Sequence, residues 1–391
     1  MLRKIKLITV NETKELTVPT FFSLEEILLA KRYPPSLFQA YLNYGDDGGL
    51  KLAPLNLNIS LIPEGVEILL RCIRNTDFND ILPREVSTKS VVDPITVYRD
   101  VKIGSEGSSE TDYEINSETA RDLVGKQISA FLDSYSTEQK LVVGISGGGD
   151  SNSLVKSLSK SGKTIICYTI ILDPIWPSSA ADRAVELCKN HGCKHYLLKA
   201  SDIEAMFQMK KGLNELLSEY LENFGANTSH FFGTYLISLV GRKLCRLENT
   251  IEYALGFNRE DMLSDAIFSL INGHKPLSYP VRNFGGIKLL MPVWELSKKV
   301  LDACYPKYSL DNYKERELDE STFQRNLIYY LAHGMEDVFP NFGLSMLQGL
   351  QKLYSNNWDN LKQDEFDLFL SSYADSSSLE KVKQLFSKYF N

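Results

Sequence analysis

The chain has 391 residues, enough for two or three domains at roughly 100–200 residues each. Its 43% hydrophobic content suits a soluble globular protein with a real core. A formal net charge of −7 disfavours tRNA or other nucleic acid as the main partner, because such proteins carry a positive excess, although a local basic patch would still admit RNA.

The N-terminal residues, Met1-Leu2-Arg3-Lys4-Ile5-Lys6, lack the apolar stretch and cleavage site of a signal peptide. No apolar run approaches the roughly 20 residues needed to span a bilayer. The strongest, around Leu61–Ile73, is broken by Pro63, Glu64, Glu67 and Arg71. A cytoplasmic protein without membrane contact is expected. Lys4–Val10 and Glu15–Pro19 read as a strand pair around the turn Asn11-Glu12-Thr13. Ser23 and Glu26 form a capping box for a following helix. The apolar segments Leu55–Ile62 and Val66–Cys72 flank a turn at Pro63-Glu64-Gly65, so residues 1–103 are expected to form a small α+β domain. Hairpin, helix, then strands resembles the β-grasp fold of ubiquitin-like domains. No Gly-Gly tail follows, so the expectation is a surface that docks a protein partner.

Residues 104–117, rich in Gly, Ser and acid, read as a flexible linker. Asn116–Ser134 is expected to be a helix. From Leu141 onward, short apolar runs alternate with amphipathic stretches. Leu141–Ser146, Thr164–Leu172, His195–Ala200 and Ile251–Asn258 read as buried strands. Asn152–Ser159, Ser179–Asn190, Ile203–Phe224 and Ser229–Leu247 read as helices. This order predicts an α/β domain over 118–306 with a doubly wound parallel sheet, whose ligands bind beyond the strand C-termini. Residues 307–391 read as a helical C-terminal region, with periodicity over Asn326–Ala332 and Leu379–Phe390.

Six cysteines, Cys72, Cys167, Cys188, Cys193, Cys245 and Cys304, include no C-x-x-C pair, which argues against a zinc ribbon or a cluster held by paired cysteines. Buried free thiols are expected. Cys188 and Cys193 flank the end of a predicted helix and are the candidates for redox or sulfur-carrying work.

The chemistry is concentrated in Ser146-Gly147-Gly148-Gly149-Asp150-Ser151, between a predicted strand and a predicted helix. Glycines let the backbone turn sharply and approach a ligand. The first amides of the helix, its dipole and two serine hydroxyls make an anion cradle. The spacing is neither that of a Walker loop nor that of a dinucleotide fingerprint. Asp150 beside such a cradle calls for a cation, and Mg²⁺ is the expected one.

S-G-G-G-D-S after a first strand resembles the S-G-G-x-D-S signature of the PP-loop ATP pyrophosphatases, the adenine nucleotide α-hydrolase-like superfamily. The resemblance implies cleavage of ATP to AMP and pyrophosphate, adenylation of a carbonyl or carboxylate oxygen, and displacement of AMP by a nitrogen or sulfur nucleophile. It assigns the pyrophosphate to Ser146, Gly147, Gly148, Gly149, Asp150 and Ser151. Gly256-Phe257-Asn258-Arg259-Glu260-Asp261 resembles the G-H-H-x-D-D segment of the tRNA(Ile)-lysidine synthetases, with Phe257 and Asn258 in place of the two histidines. Gly256, Asn258 and Asp261 equally fit the G-x-N-x-x-D of 7-cyano-7-deazaguanine synthases, whose C-terminal zinc cysteines are missing here. Met291–Lys299 is similar to the family's R-P-L…K-x-E-I stretch, and Phe323–Asn326 with Phe339-Pro340 to its R-N…F-P region.

By this resemblance Asp150 and Asp261 hold Mg²⁺, Gly256 approaches the nucleotide, and Lys298 and Lys299 join Asp150 as catalytic groups. Ile145 and Ile170, at predicted strand ends, are expected to flank the adenine. Arg259 reads either as a further positive group at the site or as pairing with a surface carboxylate. His230 and His274 are candidate general bases, and Tyr305, Tyr313, Tyr329 and Tyr330 either stack on a base or pack. The expected function is an ATP-dependent ligase or amidating enzyme acting on a small-molecule, nucleobase or protein acceptor. A tRNA base-modifying enzyme, a deazaguanine-synthase-like enzyme, sulfur transfer and a non-enzymatic scaffold are the alternatives.

Overall fold

Alternation of apolar and charged residues places β1 (Leu2–Ile8), whose Ile5 and Leu7 are buried while Lys4 and Lys6 are exposed. The computed structural model describes residues 2–9, 13–30, 38–45, 49–72, 96–104, 107–172, 178–225, 228–305, 342–358, 365–372 and 376–390, with isolated positions between them. Two units separate, Met1–Val86 and Ser87–Asn391.

In the first unit β1 pairs antiparallel with β2 (Thr13–Pro19). The capping box read from the sequence opens α1 (Leu24–Ala30): Glu26 N donates to Ser23 Oγ at 3.2 Å, and Ser23 N to Glu26 Oε2 at 2.7 Å. β3 (Phe38–Asn43), β4 (Leu50–Ala53) and β5 (Glu67–Cys72) complete a sheet of order β2-β1-β5-β3-β4, with β5 parallel to β1 in its centre. This is the β-grasp arrangement. Leu55–Ile62, expected to be a strand, is a turn followed by a 3-10 helix over Ile59–Leu61. The cause is Asn58, whose side chain accepts from Ser60 N at 2.9 Å and so competes with strand pairing. β3 and β4 went unread.

In the second unit, the stretch expected to be a linker contains β7 (Gly107–Ile115), which pairs antiparallel along its length with β6 (Thr96–Gly104). Its composition reads as a linker because the strand's stabilising partner lies upstream, where composition does not show it. Asn116 then caps α2 (Ser117–Tyr135) through a box with Thr119.

The parallel sheet is built from β8 (Lys140–Gly144), β9 (Thr164–Ile170), β10 (Lys194–Leu198), β11 (Glu252–Ala254), β12 (Val281–Phe284) and β13 (Ile287–Leu290), in order β10-β9-β8-β11-β13-β12. Only β12 runs antiparallel, at the edge. Its hairpin with β13 was not anticipated. Gly285 and Gly286, both at positive φ (60° and 89°), make the tight two-residue turn. The helices are α3 (Gly149–Ser159), α4 (Ser178–His191), α5 (Ala200–Phe207), α6 (Leu213–Phe224), α7 (Ser229–Glu248), α8 (Arg259–Ile271) and α9 (Lys298–Cys304). The helix expected over Ile203–Phe224 is two: Gln208 turns left-handed (φ 50°) and Gly212 starts the second. From β8 the chain steps outward to β9 and β10, then returns to β11 on β8's other side, so the crevice between β8 and β11 is the topological switch point.

The C-terminal elements, α10 (Phe342–Trp358), a 3-10 helix over Glu365–Ser372 and α11 (Ser376–Tyr389), pack into the same core. The Phe386 ring lies 5.7 Å from Phe232 and 4.9 Å from Tyr235 of α7. Tyr313, Tyr329, Tyr330, Phe323–Asn326 and Phe339-Pro340 lie outside the described residues. Among the described residues no helix is long and apolar enough to cross a membrane.

Candidate functional site

β8 ends against a crowded wall. A side chain at Gly144 would meet Leu255 Cδ2 at 2.5 Å and Tyr168 Oη at 2.9 Å, so glycine lets β8 and the β11 exit approach. Ile145 N still donates to Tyr168 O (3.0 Å), and the chain then turns through Gly147 at φ +75° into α3, capped by Gly148. No side chain caps this helix, and the amides of Gly149, Asp150 and Ser151 have no carbonyl four residues back within it. Ser151 Oγ accepts from Ser146 N (3.0 Å) and lies 3.3 Å from Ser146 Oγ, so both hydroxyls sit at the helix mouth. Asn152 braces the loop from within, its side chain donating to Gly148 O at 3.1 Å. The result is a positive helix end with convergent donors, suited to a phosphate chain.

Asp150 is the carboxylate at this mouth, and its cation is already supplied. Lys298 Nζ lies 2.6 Å from Asp150 Oδ1 and 2.9 Å from Asp302 Oδ1, with only 13% of the lysine side chain exposed. Lys298 is the first residue of α9, and its amide donates to Glu260 Oε2 at 2.8 Å. Lys299 beside it is exposed.

The turn after β11 is the other wall. Asn258 caps α8: its Oδ1 accepts from Asp261 N (3.0 Å), while Asp261 Oδ2 accepts from Asn258 N (3.1 Å). The Asn258 side chain also donates to Asp150 Oδ2 at 3.4 Å. Asn258 thus stands between the two acids expected to share a metal. Mg²⁺ ordinarily takes one or two carboxylates and completes its shell with water and phosphate oxygens. Asp150 suits that role; Asp261 is folded back onto its own helix cap. Among the described residues no group of three or more His, Cys, Asp or Glu is arranged to hold a metal.

Several expectations change. Arg259 is not at the surface: it is 2% exposed and donates to Glu295 O through Nε (3.0 Å) and Nη2 (2.6 Å), fixing the segment before α9. Ile145 and Ile170 are buried in the core at the ends of their strands. Gly256 faces Leu154 Cδ2 at the ordinary distance of 3.9 Å, so nothing there demands glycine. His274 lies at the far end of α8 from Asn258, its amide closing the helix on Ser269 O. Tyr305 lies beneath the cations of Lys156 (5.6 Å) and Arg121 (5.7 Å).

Sequence reasoning gave Glu260 no role. It is buried, and that burial pushes its carboxyl up to about 7, against the opposing pull of Arg259 and the Lys298 amide. Only long-range packing reveals this. An acid raised on folding binds more protons when folded, so its contribution is complete below pH 4.5 and is lost as pH rises toward 7. Stability should therefore fall across that window, by on the order of 3 kcal/mol for the shift. Glu260→Gln should flatten the slope, as denaturant midpoints measured at several pH values will show.

A cavity of about 70 Å³ adjoins the β11 turn, lined by His230, Phe231, Phe257, Asp261, Phe268 and the Asp265–Arg282 ion pair (2.5 Å). Phe257 adjoins Asn258 in sequence, so one turn carries both the cavity wall and the contact to Asp150.

The loop thus joins the end of a parallel strand to the start of a helix, at the switch point of the sheet. No family model matches the chain, and no curated protein matches it. Among solved structures it is similar to the U34-tRNA thiolase of Methanococcus maripaludis, at 17% identity over 61% of this chain and 80% of that one, with a TM-score of 0.45. The NH3-dependent NAD synthetase of Campylobacter jejuni matches at 14% identity over 64% of this chain and 98% of that one, TM-score 0.36. The NMN synthetase of Francisella tularensis matches at 14% identity over 61% and 96%, TM-score 0.38. At such identity the likeness concerns the fold alone.

Proposed function

We propose that this chain is an AMP-forming ATP pyrophosphatase of ligase type, which adenylates a carbonyl or carboxylate oxygen and lets a nitrogen nucleophile displace AMP. One observation carries the reading: a glycine loop and helix start with convergent amides and hydroxyls, at the sheet's switch point, with a half-buried lysine cation at its mouth. These groups favour the leaving pyrophosphate over the bound triphosphate, because charge accumulates there as the α-phosphorus bond breaks. Mg²⁺, held at Asp150, would add neutralising charge. Lys298, held at the loop's mouth between Asp150 and Asp302, stands beside the place where the phosphate oxygens would lie. On this reading the acceptor would approach over the β11 turn, whose Phe257 lines the neighbouring cavity.

The test is product analysis: ATP labelled at the α- and γ-positions, incubated with the protein and pools of carbonyl-containing acceptors. AMP and pyrophosphate are the expected products. ADP with inorganic phosphate would refute the reading.

A further inference from the structure

Three thiols converge where α4 turns into β10 beside β9. α4 ends in a Schellman turn: Cys193 N donates to Cys188 O (3.0 Å), Gly192 N to Lys189 O (3.3 Å), and Gly192 takes φ +63°. That turn characteristically brings the side chains at its two ends into contact, and here both are cysteines. Cys167 of β9 is their neighbour, close enough that the three thiols influence one another's ionisation. Cys167 and Cys188 are buried, whereas Cys193 is partly exposed and accessible to a small solute. β10 begins directly after Cys193, and Cys167 lies within β9, paired with His195 of β10 on one side and Val143 of β8 on the other.

We propose that Cys193, Cys188 and Cys167 form a peroxide-reactive thiol site that closes a disulfide between Cys193 and Cys188. The Cys193 thiolate attacks one peroxide oxygen, the O–O bond breaks, and the sulfur becomes a sulfenic acid as hydroxide leaves and takes up a proton. The Cys188 thiol then attacks that sulfur, expelling water, so that two thiols and one hydrogen peroxide give one disulfide and two waters. Cys167 supports the first step: as the neighbour of Cys193 it draws that thiol down to about 7. The neighbouring Cys188 and Cys193 thiols, with burial, push Cys167 itself up, so it stays protonated.

The experiment uses the full chain, reduced, exposed to hydrogen peroxide in modest excess, alkylated and digested with trypsin. Cleavage after Lys189 separates the two cysteines, so a disulfide appears as one cross-linked peptide pair, lost on reduction. That pair is the expected product. Before oxidation, Cys193 should react with maleimide about tenfold faster than Cys245 or Cys304. Cys193→Ser should abolish peroxide consumption while leaving AMP formation unchanged. Cys188→Ser should leave Cys193 as a sulfenic acid that a cyclic dione captures. Equal peroxide consumption by Cys193→Ser, or oxidation of Cys245 and Cys304 at the same rate, overturns the proposal. The mapping in the unaltered chain decides the matter even if a variant folds poorly.

Discussion

Lys298→Ala should lower the rate of pyrophosphate release by about 10²–10³-fold, the usual cost of removing one preorganised group that meets charge developing in a transition state. Lys298 is tied at both ends, its amide to buried Glu260 and its ammonium to Asp150 and Asp302, so little reorganisation is needed when the leaving group forms. Without the ammonium, the Asp150 carboxylate is left facing the incoming phosphates. The loss should fall mainly on kcat, because the loop amides and hydroxyls still bind the ground state. Lys299→Ala, which alters an exposed neighbour, should change the rate little. The comparison is a steady-state pyrophosphate assay on both variants, with circular dichroism to confirm the fold. Equal rates for Lys298→Ala and the unaltered protein would remove this lysine from the chemistry.

Glu252→Leu should be strongly destabilising, at about 2–3 kcal/mol, because it removes the fully buried acceptor that several partly buried donors share. Glu252 is fully buried on β11, and its carboxylate accepts from Ser136 Oγ (2.5 Å), Thr137 N (2.9 Å) and Glu138 N (3.3 Å), with Lys288 Nζ at 3.8 Å. It ties the segment entering β8 to β11, the pair of strands that frames the phosphate crevice. Burial works against its charge, but the hydrogen bonds from Ser136, Thr137 and Glu138 outweigh it and hold the carboxyl below its usual 4.5. An acid lowered on folding contributes stability that is present above 4.5 and lost as pH falls through the folded value. Glu252→Gln should therefore show a shallower loss of stability on acidification. Chemical denaturation at neutral and acidic pH measures both effects; a midpoint unchanged in Glu252→Leu at neutral pH contradicts the account.

The two acids run in opposite directions for one physical reason. Glu252 is buried among amides and hydroxyls that favour its anion, whereas desolvation dominates at Glu260. Neither environment has a local signature, since the donors to Glu252 lie more than 110 residues upstream.

What the sequence by itself determined is what short-range chemistry controls. The Ser146–Ser151 loop, the strand–helix alternation around it, the capping boxes at Ser23 and Asn116, and the β-grasp order of hairpin and helix all follow from propensity, periodicity and side chains that bond within four residues. Where local chemistry was ambiguous, tertiary structure decided: Gly107–Ile115 is a strand because Thr96–Gly104 is there to pair with it, and Val281–Leu290 forms a hairpin at the sheet edge. The site's electrostatics were decided entirely at long range. Lys298 and Asp150 are 148 residues apart in sequence, yet they meet as an ion pair at the loop's mouth. Asn258 separates Asp150 from Asp261, and Arg259 is drawn inside to hold α9. Such contacts depend on which strand neighbours which, a property of the assembled sheet that no stretch of sequence contains.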